Sequence, residues 1–202
     1  MAKLKPLFGG LVTAGNASQV SDGAAAVLIC NERGLKKLGL QPRAKIVTMA
    51  LCGTDPDLML WGPIPSTRKA LKQAGLTLAE IDLYEVNEAF ASVPVAWLKT
   101  LKADPRKLNV HGGAVSLGHA LGGTGIPPRG SEFESRSLTT FFSCFFFVSA
   151  GTRMVVTLVN ALEIYGKKRG LATSCAGGGT GNAMIIERCD RSYEIAPLPS
   201  KL

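Results

Sequence analysis

Three short stretches each set one reactive side chain among small residues. They are VNEAFA (86–91) around Asn87, GGAVSLGHALGGTG (112–125) around His119, and SCAGGGTG (174–181) around Cys175. An imidazole takes up and returns protons near neutral pH. A thiol can do proton transfer or, as thiolate, attack carbon. Backbone amides of a glycine loop can come close to a developing oxyanion. Each residue alone also has a plainer explanation. Asn87 could cap the helix after it, His119 could be a packed or surface histidine, and Cys175 could be a small buried hydrophobe. The glycine loop lacks the Lys-Ser/Thr of a P-loop.

The surrounding pattern places all three at strand ends or helix starts, where α/β sheets put their sites. AAAVLIC (24–30) is short and apolar and reads as a buried strand, followed by a helix in NERGLKKLGL with Asn31 as its cap. AKIVTMALC reads as a strand, PSTRKALKQAG as a helix stopped by Gly75, and IDLYEV, with its alternation, as a further strand. EAFASVPVAWLKTL reads as a helix that tolerates Pro94 near its first turn. TRMVVTLVNALEIYG spaces Val155, Leu158, Val159 and Leu162 as a helix does, and GLATSCA with NAMIIER suggests a hairpin across the glycine loop. Alternating strands and helices imply an α/β layered domain.

One segment breaks the pattern. Residues 126–151, IPPRGSEFESRSLTTFFSCFFFVSAG, have no helical period, two adjacent prolines and a phenylalanine cluster. Connections usually run about 4–6 residues and are polar. Without this segment SLGHALGGTG joins TRMVVTLVNALEIYG, which restores a continuous amphipathic helix behind His119. Its final residues, TTFFSCFFFVSAG, are those that a pyrimidine-rich tract and an AG acceptor would encode. The two explanations are a translated intron, which the apolar composition favours, and a genuine insertion that folds as a flap.

Composition narrows the function classes. With 202 residues, 46% hydrophobic and 19% charged, the chain can bury a core. The formal net charge is +8, but Lys and Arg occur in ones and twos without interleaved aromatics, so nucleic-acid binding is not indicated. Five cysteines without a C-x-x-C pair and only two histidines argue against a zinc site or a disulfide framework. MAKLKPLFGG lacks a signal-peptide core, and FFSCFFFVSA is too short to span a bilayer. The sequence closes with Ser200-Lys201-Leu202, the peroxisomal address read by an import receptor, which places the protein in the peroxisome matrix as an expectation.

Taken together and in this order, NEAF, GGA…GH…GGTG and C-x-GGG-x-G resemble the C-terminal half of the thiolases, and TAGNASQVSDGAAAVLI (13–29) resembles the stretch that leads into it. The resemblance runs over about 5–188, excluding 126–151. It implies a thiolase-like α/β half: a mixed, mainly parallel five-stranded sheet with helices on both faces, interrupted by the irregular insert. Residues 1–188 would be the C-terminal domain and 189–202 a tail with the targeting signal.

It also implies thiolytic cleavage of a 3-ketoacyl-CoA, as in fatty-acid β-oxidation, with coenzyme A as co-substrate and no permanently bound cofactor or metal. His119 matches the base that activates a nucleophilic cysteine, and Cys175 matches the acid/base cysteine, whose thiol is expected to be lowered by neighbours. Asn87 matches the holder of an oxyanion water, and the Gly177 amide an oxyanion donor. No residues are assigned to CoA binding. The nucleophile of the family lies in a C-x-S-G motif of the other half, and Cys30, Cys52, Cys144 and Cys189 are in no such setting. The 202 residues alone are therefore expected to be inactive, and to pair with a thiolase N-terminal half or form a homodimer. The alternatives are a non-catalytic thiolase-like protein that binds a partner half or subunit, and an isolated CoA-binding module. Ala120 stands where the family has proline after the histidine, and His111 where it commonly has asparagine.

Overall fold

In the computed structural model, residues 3–7, 9–120, 145–146 and 150–190 are described. The chain orders as β1 (Leu28–Ile29), α1 (Glu32–Leu38), β2 (Ala44–Gly53), α2 (Pro63–Ala74), β3 (Leu83–Val86), α3 (Ser92–Leu101), α4 (Ala114–Leu117), β4 (Phe145–Phe146), α5 (Ala150–Ile164), β5 (Arg169–Ala176) and β6 (Thr180–Arg188). Four strands form the main sheet in the order β2-β6-β5-β3. The β3/β5 pair is parallel, whereas β5/β6 and β2/β6 are antiparallel.

The mixed sheet with helices on both faces is as expected, but two details differ. Among the described residues the sheet has four strands rather than five, and two of its three pairings are antiparallel. The reason for the second is local: β5 and β6 are joined by only Gly177-Gly178-Gly179, which can connect strands only as a hairpin. The missing strand is β1. Of the expected 24–30 run only Leu28–Ile29 is extended in a ladder, paired with Phe145–Phe146, and Leu28 is exposed. Its apolar residues lie outside the main sheet and are not buried by it.

Both faces of the central strands are apolar, which explains the layering. On β5 and β6, Leu171 and Ile185 point to one core with Ile64, Ala70, Tyr84 and Trp97, while Ala172 and Ile186 point to the other with Leu158 and Leu162. The first core lies under α2 and α3. Pro63 opens α2, where its missing amide costs nothing, and Gly75 ends it in the left-handed conformation, its N–H on the carbonyls of Leu71 and Lys72. Pro94 falls within the first turn of α3, as expected. Trp97 of α3 is fully buried, stacks edge-on against Tyr84 at 5.1 Å and donates its indole N–H to Thr67 Oγ1 at 3.0 Å. The second core is covered by α5 through Leu158, Ala161 and Leu162, with Val155 and Val159 packed against it, spaced at three and four residues. Asn31 caps α1 as its sequence suggests, accepting from Gly34 N at 2.8 Å. No helix among the described residues is long and apolar enough to cross a membrane.

Candidate active site

The parallel pair β3/β5 ends at the site. Asn87 follows β3 directly and extends its ladder by one bond, its N–H donating to the Thr173 carbonyl at 3.0 Å. This turns the carboxamide inward, where it is 2% exposed. It does not cap α3, whose N-cap is Ala91 without a side-chain bond. Asn87 Nδ2 lies 3.4 Å from His119 Nε2. An amide nitrogen only donates, so the ring nitrogen accepts in this contact when the imidazole is neutral with its proton on Nδ1. Asn87 Oδ1 is buried with no hydrogen-bond partner.

His119 is delivered by a loop pinned to the same strand end. Asn109 adopts φ 44°, which asparagine tolerates, and its side chain pairs with Val86 as another strand would. Its Oδ1 accepts from Val86 N at 2.9 Å and its Nδ2 donates to Val86 O at 3.0 Å. Glu88 accepts from Asn109 Nδ2 at 2.8 Å and from Val115 N, in the first turn of α4, at 3.0 Å. Gly118 then takes φ 92°, and a Cβ there would stand 2.6 Å from Ser21 Oγ, so only glycine fits before the histidine. His119 N donates to Gln19 O at 2.7 Å, and Ser21 N to His119 O at 3.3 Å. The 13–21 stretch that supplies these partners is itself fastened to the NEAFA turn: Ala91 N donates to Asn16 O at 2.8 Å and Ser18 N to Ala89 O at 3.1 Å.

The His119 ring is 5% exposed. Burial, and then the positive charge of Arg153, hold its pKa below the usual histidine value. Cys175 sits at the end of β5, opposite Gly181 and 6% exposed. Burial pushes its thiol up, so the expected lowering is not found: no cation or helix terminus offsets the loss of water. Gly177 opens the exposed turn after β5, with no atom within 4 Å of where a Cβ would stand, so its backbone is approachable. Gly179, at φ 78°, accepts through its carbonyl from Thr54 N at 2.6 Å and Thr54 Oγ1 at 2.8 Å, which seats the turn on the end of β2.

The structure thus brings Asn87 and His119 into contact, and sets Cys175 and Gly177 at the end of the neighbouring strand. Two charged residues escaped the sequence reading. Glu85, on β3 and 1% exposed, faces Arg153 of α5, with Nη1 3.5 Å from Oε2. Burial outweighs that attraction and pushes the Glu85 carboxyl up to about 8. Strand alternation puts Glu85 on the face of Ile81 and Leu83, and β3 is buried on both faces. Arg153, Ser21, Asp22, Gly118 and His119 line one pocket of about 120 Å³. The His111 ring lies against Tyr165 at 5.5 Å. Among the described residues there is no cluster of acidic, histidine and cysteine side chains able to hold a metal ion. Cys144 and Ser200-Lys201-Leu202 lie outside the described residues, as does most of 126–151.

This arrangement has close counterparts. Residues 40–129 and 147–188 match the family model "Thiolase, C-terminal domain", and residues 1–33 match "Thiolase, N-terminal domain". The chain belongs to the thiolase family. A steroid 3-ketoacyl-CoA thiolase of Mycobacterium tuberculosis is 47% identical over 189 residues, 93% of this chain and 40% of that protein. An acetyl-CoA acetyltransferase of Escherichia coli is 44% identical over 190 residues, 93% of this chain and 42% of that protein. The crystal structure of human mitochondrial 3-ketoacyl-CoA thiolase superposes with a TM-score of 0.78 at 40% identity, over 94% of this chain and 42% of that one, and a structure of that enzyme in complex with CoA matches equally. The chain thus spans about two fifths of the length of these thiolases. The C-terminal family match passes over 130–146, inside the irregular segment.

Proposed function

We propose that this chain supplies the acid–base side of a thiolase site acting on 3-ketoacyl-CoA, with coenzyme A as second substrate. The observation that carries this is the Asn87–His119 contact at the C-terminal end of β3, beside Cys175 at the end of β5. In the cleavage direction, His119 takes the proton from a nucleophilic thiol, whose sulfur adds to C3 of the substrate. The C2–C3 bond breaks, and its electron pair, as the acetyl-CoA enolate, takes the proton of Cys175. Acetyl-CoA leaves. Cys175, now a thiolate, takes the proton of incoming CoA, whose sulfur attacks the acyl-enzyme; the nucleophile's sulfur leaves, regains the proton held by His119, and the shortened acyl-CoA is released. Asn87, through a bound water, and the Gly177 amide serve as oxyanion donors.

None of the five cysteines lies in a C-x-S-G setting, so in this reading the 202 residues do not turn over alone and act with a cysteine-bearing thiolase half. A full-length read of the messenger RNA tests that. An upstream C-x-S-G codon run and absence of the codons for 126–151 are expected. A transcript that begins at Met1 and retains them would leave a partner-binding thiolase-like protein as the function. The closing Ser200-Lys201-Leu202 supports the peroxisome matrix as the site of action, through its import receptor. A fluorescent protein extended by residues 189–202 should collect in peroxisomes, and one ending in Ser-Lys-Ala should not.

A further inference from the structure

Where α5 crosses β3, a buried carboxyl meets a partly exposed arginine without a full set of hydrogen bonds. Glu85 is on the central part of β3, two residues before Asn87, and is 1% exposed. Arg153 reaches it from α5, yet its Nη1 is buried with no hydrogen-bond partner, and the 3.5 Å approach to Oε2 is an ion-pair distance only. The Arg153 side chain is 28% exposed as a whole, but shutting away its Nη1 without a hydrogen bond is costly to stability. The same arginine forms one wall of the pocket whose other wall is Gly118-His119. We propose that Arg153, anchored on Glu85, is a positioning residue that keeps the His119 ring in its neutral, proton-accepting form.

The proposal rests on His119 being the base of the site, but its geometry is independent of any activity. The charged and titratable groups on the elements around the ring are few. Arg153 comes from α5, Asp22 from the loop that forms the pocket's far side, Glu85 and Glu88 from β3 and the turn after it, and Cys175 from the end of β5. Glu88 is engaged with Asn109 and the start of α4, and Cys175 is protonated by burial. Among the described residues, Arg153 is the one cation in this set. Its charge opposes a second positive charge on the imidazole, adding to the effect of burial. Protonation would also end the acceptor role of Nε2 toward Asn87 Nδ2.

The chain has only two histidines, so an NMR titration of labelled imidazoles reads His119 directly once His111→Gln removes the other signal. In the full chain, His119 should titrate below the ordinary histidine range. Arg153→Met should raise its midpoint by about half a unit or more, and Arg153→Lys should keep it low. If Arg153→Met does not fold, the double variant Glu85→Gln with Arg153→Met leaves no buried charge unpaired and should show the same rise. An unchanged midpoint in either Met variant overturns the proposal. A midpoint that rises equally in Arg153→Lys overturns it too, because packing rather than charge would then be responsible. Failure of the thiolase reading would leave this titration unaffected, so the two are separable.

Discussion

His119 and Cys175 are both closed off from water, and burial leaves both uncharged: the imidazole as a free base, the thiol as an acid. The cleavage proposed above requires this pairing, with His119 accepting a proton at the start and Cys175 giving one next. Replacing Cys175 by serine keeps size and removes the acid. In the assembled enzyme, thiolysis should fall by about 10²–10⁴-fold, while the unfolding midpoint of the chain stays within a few degrees, measured by steady-state kinetics and thermal denaturation. Glu85 sets a pH dependence of stability. Its folded value, about 8, lies above the ordinary 4.5, so its contribution is complete below about pH 4.5 and is lost as pH rises to about 8. His119 acts in the other sense, losing stability as pH falls below 6.5. Urea unfolding across this range should therefore show Glu85→Gln to be flatter than wild type between pH 4.5 and 8. A parallel curve would show that the carboxyl is not protonated in the fold.

The elements that read clearly in the sequence are those whose signals are local. Asn31 before α1, Gly75 after α2, and the glycine turn between β5 and β6 each act through their own backbone. What did not read depends on contacts far along the chain. The 24–30 run has the composition of a buried strand, but only its partners could make it one. Glu85 is a charged residue on the face of β3 that α5 covers, and only that covering buries it. Asn109 gives no sign that its side chain will stand in for a strand beside Val86, yet its three bonds fix the loop that carries His119. Asn109→Ala should destabilise by about 1–3 kcal/mol, by urea unfolding, and lower activity further than that loss of folded protein explains. Gly118→Ala should cost a similar ~1–3 kcal/mol through its positive φ and the approach of Ser21. In the site itself, the three motifs singled out residues that the fold gathers at the ends of β3 and β5. Their order along the chain, rather than the geometry, made them legible as a set.

At the scale of the molecule, the 126–151 segment separates His119 from the helix that brings Arg153 back to it. The family match passes over 130–146, and the described part contributes the short Phe145–Phe146 pairing with β1 and the first two residues of α5. The folded layers do not depend on that pairing, so a chain lacking 126–151 should unfold at the same or a higher temperature than the full one. A fall of many degrees would instead make the segment an integral flap. The central claim is that these residues complete a thiolase site, and it is tested most directly by complementation. The chain without 126–151 would be mixed with a separately produced thiolase N-terminal half, and CoA-dependent cleavage of acetoacetyl-CoA followed. The account predicts cleavage only in the mixture, and its loss with His119→Ala or Cys175→Ser. Cleavage by the 202-residue chain alone, or a mixture indifferent to both substitutions, would contradict it.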